Sequence, residues 1–200
     1  MKLRDYQIEA IDALMRGVAT RTSQCLVLAT GMGKTVVAGH LMQKWDREGD
    51  ILFLAHRREL IEQSCRTYER MTGEQGFIEM GALRAPEFNL FSGRRRVVFG
   101  SVQSIRSRLH HARFDPMRFS LIVCDECHHG TASSYLKIFE HFGILERVNY
   151  DEGTFRIKDA SEAWCRCIGL TATPNRTDEE ALDQIFGSEP TYQMGIWKGI

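Results

Sequence analysis

Residues 27–38 read VLATGMGKTVVA, and this stretch decides the fold of the chain. The apolar residues on either side predict a strand that ends near residue 29 and a helix that begins near residue 34. Gly31 and Gly33 lack a Cβ, so the backbone between these two elements can take positive φ and approach an anion closely. A strand, a glycine turn and a helix in this order are typical of a phosphate-binding loop.

The side chains of this turn suit a bound triphosphate. Backbone amides at a helix start point towards an anion, and the helix dipole favours negative charge there. Lys34 would reach the β- and γ-phosphates, and the Thr35 hydroxyl would bind Mg²⁺. The strict pattern requires glycine at position 28, where this chain has Leu28. The alternative interpretation is a glycine turn before an ordinary helix with an exposed lysine.

A second group of polar residues follows the apolar run at 121–124. Such a run, bounded by polar residues, predicts a buried parallel strand, and ligand-binding residues lie at the carboxyl ends of such strands. Asp125 would hold Mg²⁺ through its water shell, and Glu126 would orient or deprotonate the attacking water. On its own, an acidic pair at a strand end is also typical of a solvated turn.

Six short motifs occur in a fixed order: LRDYQ (3–7), ATGMGKT (29–35), LAHRREL (54–60), GSVQS (100–104), DECH (125–128) and TATP (171–174). In this order they resemble the first RecA-like lobe of superfamily-two helicases and translocases of the DECH-box group. The restriction-enzyme-subunit-like and DNA-repair helicases of that group are the most similar in character. The phosphate loop of this family commonly lacks the first glycine, so Leu28 agrees with the resemblance.

The resemblance implies a role for each motif. Arg4 would stack on adenine, and Gln7 offers the donor and acceptor that suit the edge of the base. The nucleotide and its Mg²⁺ would also be held by Thr30, Gly31, Met32, Gly33, Lys34 and Thr35. The catalytic residues would be Lys34, Asp125, Glu126 and His128. Contacts to nucleic-acid backbone would come from Arg57, Ser101 and Gln103, and His128 would couple hydrolysis to movement through Thr171 and Thr173.

The resemblance also implies partners. ATP and Mg²⁺ are the expected cofactors, and nucleic acid is the expected partner, with DNA favoured over RNA. The family works with a second RecA-like lobe that supplies an arginine finger. Only 26 residues follow Pro174, so we expect residues 1–200 to be one ATP-binding lobe of a truncated chain. The alternative function is a nucleotide-gated module that binds nucleic acid or protein without productive unwinding.

Composition is that of an ordinary globular chain, with 43% hydrophobic residues and no net charge. We expect a cytoplasmic protein, since the chain has no apolar run of membrane-spanning length and no signal peptide. Basic residues concentrate between Arg94 and Arg118, where a local surface could contact phosphates. The segment Cys124-x-x-Cys127-His128-His129 also permits a zinc hypothesis, which a buried strand and a loop devoted to Mg²⁺ disfavour.

The alternation of strands and helices predicts an α/β fold, a three-layer RecA-like P-loop NTPase domain with a mostly parallel central sheet. Strands are expected near 24–29, 51–55, 96–100, 120–125 and 166–170, with a short one at 77–80. Helices are expected near 4–19, 34–47, 57–71 and 132–142. The first helix should face inward with Ile8, Ile11, Leu14 and Met15. Residues 84–93 should form a loop, and residues 150–155 a hairpin turn.

Overall fold

A seven-stranded sheet forms the centre of the protein, which we describe from a computed structural model. The structure describes residues 3–87, 95–127, 133–149, 154–172, 185–187 and 189–195. The strands of the sheet are β1 (Ser23–Leu28), β2 (Asp50–Ala55), β3 (Gly76–Glu79), β4 (Val97–Ser101), β5 (Phe119–Asp125), β8 (Arg166–Thr171) and β9 (Tyr192–Met194). The remaining two strands, β6 (Leu145–Asn149) and β7 (Thr154–Ile157), form a separate antiparallel hairpin.

The strand order is β3–β4–β2–β5–β8–β1–β9, and every neighbouring pair is parallel. The inner strands are buried along their whole length, which explains their continuous apolar runs. All seven carboxyl ends therefore meet at one edge of the sheet.

Helices cover both faces of the sheet. The helices are α1 (Asp5–Gly17), α2 (Lys34–Lys44), α3 (Arg58–Thr72), α4 (Val102–Arg108) and α5 (Ser133–His141). One apolar core lies between the sheet and α1, α2 and α3, and a second lies between the sheet and α4 and α5. The expected three-layer α/β architecture is confirmed. Within the described ranges, no helix is long and apolar enough to cross a membrane.

Most predicted elements are found close to their expected positions. The five longer strands begin and end within one residue of the prediction. The short strand expected at 77–80 is β3, which lies one residue earlier. β6 and β7 form an antiparallel hairpin where a turn was predicted; residues 150–153 of that turn lie outside the described part, and residues 154–155 belong to β7. Residues 84–87 belong to no helix or strand, as expected of a loop, and 88–94 are not described. The sequence analysis missed α4 and β9.

The predicted inward face of α1 is wrong at Ile8, which is 41% exposed. The helix instead buries Tyr6, Ala10, Ile11 and Leu14, a stripe at helical spacing. Met15 packs at the margin of this core. Ile11 and Leu14 are buried as predicted, and the error at Ile8 arose because the polar Gln7 was not expected to be buried.

Most of the arginine-rich segment serves the fold. Arg95 donates to backbone carbonyls after α2, Arg108 pairs with the fully buried Glu79, and Arg113 donates to the Ala85 carbonyl. Arg96 is buried, and its Nε donates to Asp50 Oδ2 at 2.8 Å. The basic surface expected between residues 94 and 118 is therefore largely occupied by internal hydrogen bonds.

The buried ion pair of Arg96 gives a stability prediction. Arg96→Ala should lower the free energy of unfolding by about 3–5 kcal/mol, because the Asp50 carboxylate then stays buried without its cation. Chemical denaturation measures the change. Arg58→Ala, which removes an exposed pair with Glu62, is the control and should leave the unfolding curve in place. Equal effects of the two substitutions would contradict the structural role of Arg96.

Candidate nucleotide site

The turn between β1 and α2 has the backbone that an anion-binding loop needs. Gly31 and Gly33 both have positive φ, 83° and 81°, and Gly33 is the N-cap residue immediately before α2. A Cβ on Gly31 would meet nothing within 4 Å, so the glycine is needed there for its conformation alone. A Cβ on Gly33 would also come within 2.7 Å of Gln7 Nε2. There is therefore no room for a side chain between Gly33 and Gln7 of α1.

The acidic pair lies at the same edge of the sheet. Asp125 is the last residue of β5 and is 7% exposed, and Glu126 follows with a φ of 50°. Positive φ is uncommon for a residue with a side chain and is concentrated at functional sites. The Glu126 amide donates to Asp125 Oδ1 at 3.1 Å. This tight turn directs the second carboxylate back towards the loop.

Lysine and carboxylate meet across a cleft. Lys34 Nζ lies 3.9 Å from Glu126 Oε1, although the two residues are far apart in sequence. They share the cleft because β5, β8 and β1 are neighbours in the sheet, with parallel carboxyl ends. The structure thus brings together the two motifs that the sequence analysis assigned to one triphosphate.

The cleft has a volume of about 720 Å³. One wall consists of Gly31, Gly33, Lys34, Thr35 and Val36, and Asp125 and Glu126 form its end. The opposite wall is α3, through Leu60, Gln63, Thr67, Arg70 and Met71. The sequence analysis missed this wall. Its signal was the spacing of residues 60, 63, 67 and 70, which places them on one face of a helix.

Burial dominates the electrostatics of the acidic pair. Loss of water and, to a lesser degree, the neighbouring Glu126 charge raise the pKa of Asp125 to about 6, against the opposing effects of Lys34 and the Glu126 amide. A carboxylate in this position gains from a cation that replaces the missing water. Oxygen ligands suit Mg²⁺, and Asp125 and the Thr35 hydroxyl both line the cleft. These residues therefore fit the expected metal.

The raised pKa of Asp125 predicts a pH-dependent cost to the metal-free fold. Below about pH 4 the carboxyl group is protonated in both the folded and the unfolded chain, and the cost is absent. As pH rises through 6 the folded state must carry a disfavoured charge. Asp125→Asn should then stabilise the protein by up to about 3 kcal/mol at pH 7.5 in EDTA, with no gain at pH 3.5.

Unfolding curves at the two pH values measure this difference. The control is Asp46→Asn, which changes an exposed aspartate far from the cleft and should show no pH-dependent gain. A stabilisation by Asp125→Asn that is the same at both pH values would contradict the burial cost.

The two residues expected to contact adenine lie beside the loop. Gln7 is buried; its Oε1 accepts from the Arg4 amide and its Nε2 donates to the Met32 carbonyl, both at 3.0 Å. The Arg4 side chain is exposed, and its Nη1 donates to the Tyr6 hydroxyl at 3.3 Å. Thr30 is exposed and Met32 is buried. Gln7 thus contacts the backbone of the phosphate loop and is not part of the cleft wall.

The residues expected to contact nucleic acid lie at the carboxyl edge of β2 and β4. Arg57 precedes α3 and Gln103 lies in the first turn of α4, and both are exposed. Ser101 is 6% exposed, and its hydroxyl accepts from the Ser104 amide as the cap of α4. Ala55 and Ser101 are paired in register, so Arg57 and Gln103 extend from neighbouring strand ends.

Only part of the expected coupling relay is described. Thr171 is fully buried at the end of β8, next to the strand that carries Asp125. His128 and Thr173 lie outside the described residues.

Five of the six cysteines, all except Cys65, belong to the apolar core between the sheet and α4 and α5. All six are free and buried, and Cys25 Sγ lies 3.9 Å from Cys127 Sγ. A Cβ on Gly169 would come within 2.7 Å of Cys127 Sγ. Within the part of the chain that is described, no three histidine, cysteine or acidic residues are placed to share a metal ion. His128 and His129 of the zinc hypothesis are not described.

A parallel sheet with a glycine loop, a lysine and an acidic strand end defines a P-loop NTPase domain of the RecA-like class. The chain belongs to the family described as "Type III restriction enzyme, res subunit", whose model matches residues 1–176. The resemblance to the first lobe of superfamily-two helicases is therefore confirmed.

Individual relatives agree with this family. The chain is 33% identical to the "Putative ATP-dependent helicase IRC3" of Saccharomyces cerevisiae over 97% of its own length and 26% of that protein. It is 29% identical to the "ATP-dependent DNA helicase mph1" of Sclerotinia sclerotiorum over 82% of this chain and 13% of that protein. The solved Hef helicase domain of Pyrococcus furiosus matches with a TM-score of 0.64 and 25% identity, covering 92% of this chain and 35% of that one. The chain thus spans about a quarter or less of these two curated relatives.

Proposed function

We propose that this chain is the ATP-binding lobe of a nucleic-acid-dependent ATPase, a helicase or translocase that acts on DNA. The observation that carries the proposal is the distance of 3.9 Å between Lys34 Nζ and the Glu126 carboxylate. The two groups face each other across a cleft lined by a loop whose glycines have positive φ. That arrangement places a cation, backbone amides and a carboxylate around the volume a triphosphate would fill. Membership of the helicase family supports the same conclusion.

Each residue of the cleft has a chemical task in this proposal. The amides from Gly31 to Thr35 and the Lys34 ammonium bind the phosphates, and Thr35 and Asp125 hold Mg²⁺. The metal, when bound, neutralises charge on the phosphate oxygens. Glu126 orients the attacking water and accepts its proton. Arg4 and Gln7 contact the adenine, with Thr30 and Met32 completing the loop.

The remaining assignments rest on the family. Arg57, Ser101 and Gln103 would contact the backbone of the bound strand; the Ser101 hydroxyl accepts from the Ser104 amide and keeps its own proton to donate to a phosphate. His128, Thr171 and Thr173 would couple hydrolysis to movement. DNA is proposed over RNA because a relative is named a DNA helicase. We also propose a second lobe with an arginine finger in the same protein, and a cytoplasmic location consistent with free thiols.

The catalytic assignment predicts a separation of binding from turnover. In the full-length protein, Lys34→Ala should weaken MgATP binding at least about tenfold, because it removes a charge-assisted contact to phosphate. Glu126→Gln should retain binding and lower DNA-stimulated turnover roughly 100-fold or more, because the amide cannot accept the proton. Titration calorimetry and a phosphate-release assay measure the two effects.

Matched controls are available on the surface. Lys44→Ala lies at the far end of α2, and Glu162→Gln is exposed away from the cleft, so both should behave as the wild type. Wild-type turnover in Glu126→Gln would refute the assigned base. ATP binding without any nucleic-acid-stimulated hydrolysis by the wild type would favour the alternative, a nucleotide-gated binding module.

The proposed division into two lobes gives a further prediction. The isolated 200-residue chain should bind MgATP, hydrolyse it slowly and fail to separate the strands of duplex DNA, because the arginine finger is supplied by the second lobe. A strand-displacement assay beside the full-length protein measures this. Robust unwinding by residues 1–200 alone would refute the need for a second lobe.

A further inference from the structure

Tyr6 has no role in the function proposed above, although it touches the phosphate loop. It lies in the first turn of α1 and is 9% exposed. Its hydroxyl donates to the Met32 carbonyl at 3.0 Å, across 26 residues of sequence. This contact joins the start of the chain to the residue before the left-handed Gly33.

The same carbonyl accepts a second hydrogen bond. Gln7 Nε2 donates to Met32 O, also at 3.0 Å. A carbonyl oxygen has two lone pairs, so Tyr6 and Gln7 together fill its accepting capacity. Two adjacent residues of α1 thus converge on one backbone atom of the loop.

Fixing this carbonyl also fixes an amide that faces the ligand. The Met32 carbonyl and the Gly33 N–H belong to one planar peptide group and point in opposite directions. Since the carbonyl is turned towards α1, the Gly33 amide is turned away from it. Gly33 itself lines the cleft beside Lys34. The hydrogen bonds from α1 therefore set the direction of a donor at the proposed phosphate site.

The two donors differ in what else they bind. The Gln7 side chain also accepts from the Arg4 amide, and the proposed adenine contact would add a further demand on the same group. The Tyr6 hydroxyl uses its one proton in the hydrogen bond to the Met32 carbonyl, and its oxygen accepts from the exposed Arg4 Nη1 at 3.3 Å. Tyr6 can therefore keep the carbonyl in place while Gln7 adjusts to a base.

We propose that Tyr6 is a positioning residue of the nucleotide site, which holds the Met32–Gly33 peptide so that the Gly33 amide faces the phosphates. The inference deepens the proposed function and rests on it. Tyr6 acts through the loop backbone and touches no reacting atom. Its effect is on nucleotide affinity, because the same amide contact is present in the ground state and the transition state.

Tyr6→Phe tests this role, since it removes the hydroxyl and keeps the buried ring. Affinity for MgATP, measured by titration calorimetry on the 200-residue chain, should fall about three- to tenfold, the usual effect of one hydrogen bond. In the full-length protein KM for ATP should rise by a similar factor with kcat retained. The control is Tyr192→Phe, whose hydroxyl also bonds to α1, at Glu9 Oε2, 3.0 Å away. It should leave affinity unchanged.

The shared acceptor adds a sharper test. Combining Tyr6→Phe with Gln7→Met should weaken MgATP binding by more than the product of the single effects, because the buried carbonyl then has neither donor. Tyr192→Phe with Gln7→Met should give the simple product.

Different outcomes would overturn the proposed function and the positioning role of Tyr6. Absence of MgATP binding by the wild-type chain would overturn the proposed function, and this inference with it. Wild-type affinity in Tyr6→Phe, a purely multiplicative double variant, or a fall in kcat at constant KM would overturn the role of Tyr6 alone.

Discussion

The site depends on parallel strands that end at a common edge. The glycine loop follows β1 and the acidic pair ends β5, with β8 between them. Only this alignment brings Lys34 and Glu126 within reach of each other, since nothing local connects the two segments. Continuous apolar strands, buried on both faces, hold the alignment with a full ladder of hydrogen bonds. The chemistry at the edge is therefore a property of the core beneath it.

Two residues at that edge, Asp125 and Glu126, have environments that cost folding free energy. Asp125 is charged where water is scarce, and Glu126 has a left-handed backbone that side chains rarely adopt. Such features persist because the surrounding packing fixes them, and they are concentrated at functional sites. A cation bound between the phosphates and Asp125 would relieve the first of these costs. The proposed complex would thus favour the charged form of Asp125.

The sequence predicted the central strands and the loop because each signal is local. Gly31 and Gly33 follow an apolar run directly, and Asp125 follows another, so their place at strand ends could be inferred without coordinates. The α3 wall could not be recognised, since Gln63, Thr67 and Arg70 are ordinary polar residues until packing turns them towards the cleft. Ile8 was misplaced for a related reason: the burial of Gln7 depends on a carbonyl 25 residues away. The arginines near residue 100 were read as surface, whereas buried acids and backbone carbonyls engage most of them.

The close packing around Cys127 limits the side-chain volume at neighbouring positions. Cys127 follows Glu126 directly and fits against Cys25 and the bare backbone of Gly169. Added volume at position 169 has no free space to enter, so it would press on the turn that orients Glu126. A larger side chain at one of these three positions would therefore need a smaller one at another to keep the Glu126 carboxylate in place. Side chains that do not line the cleft thus help to fix the position of the proposed catalytic carboxylate.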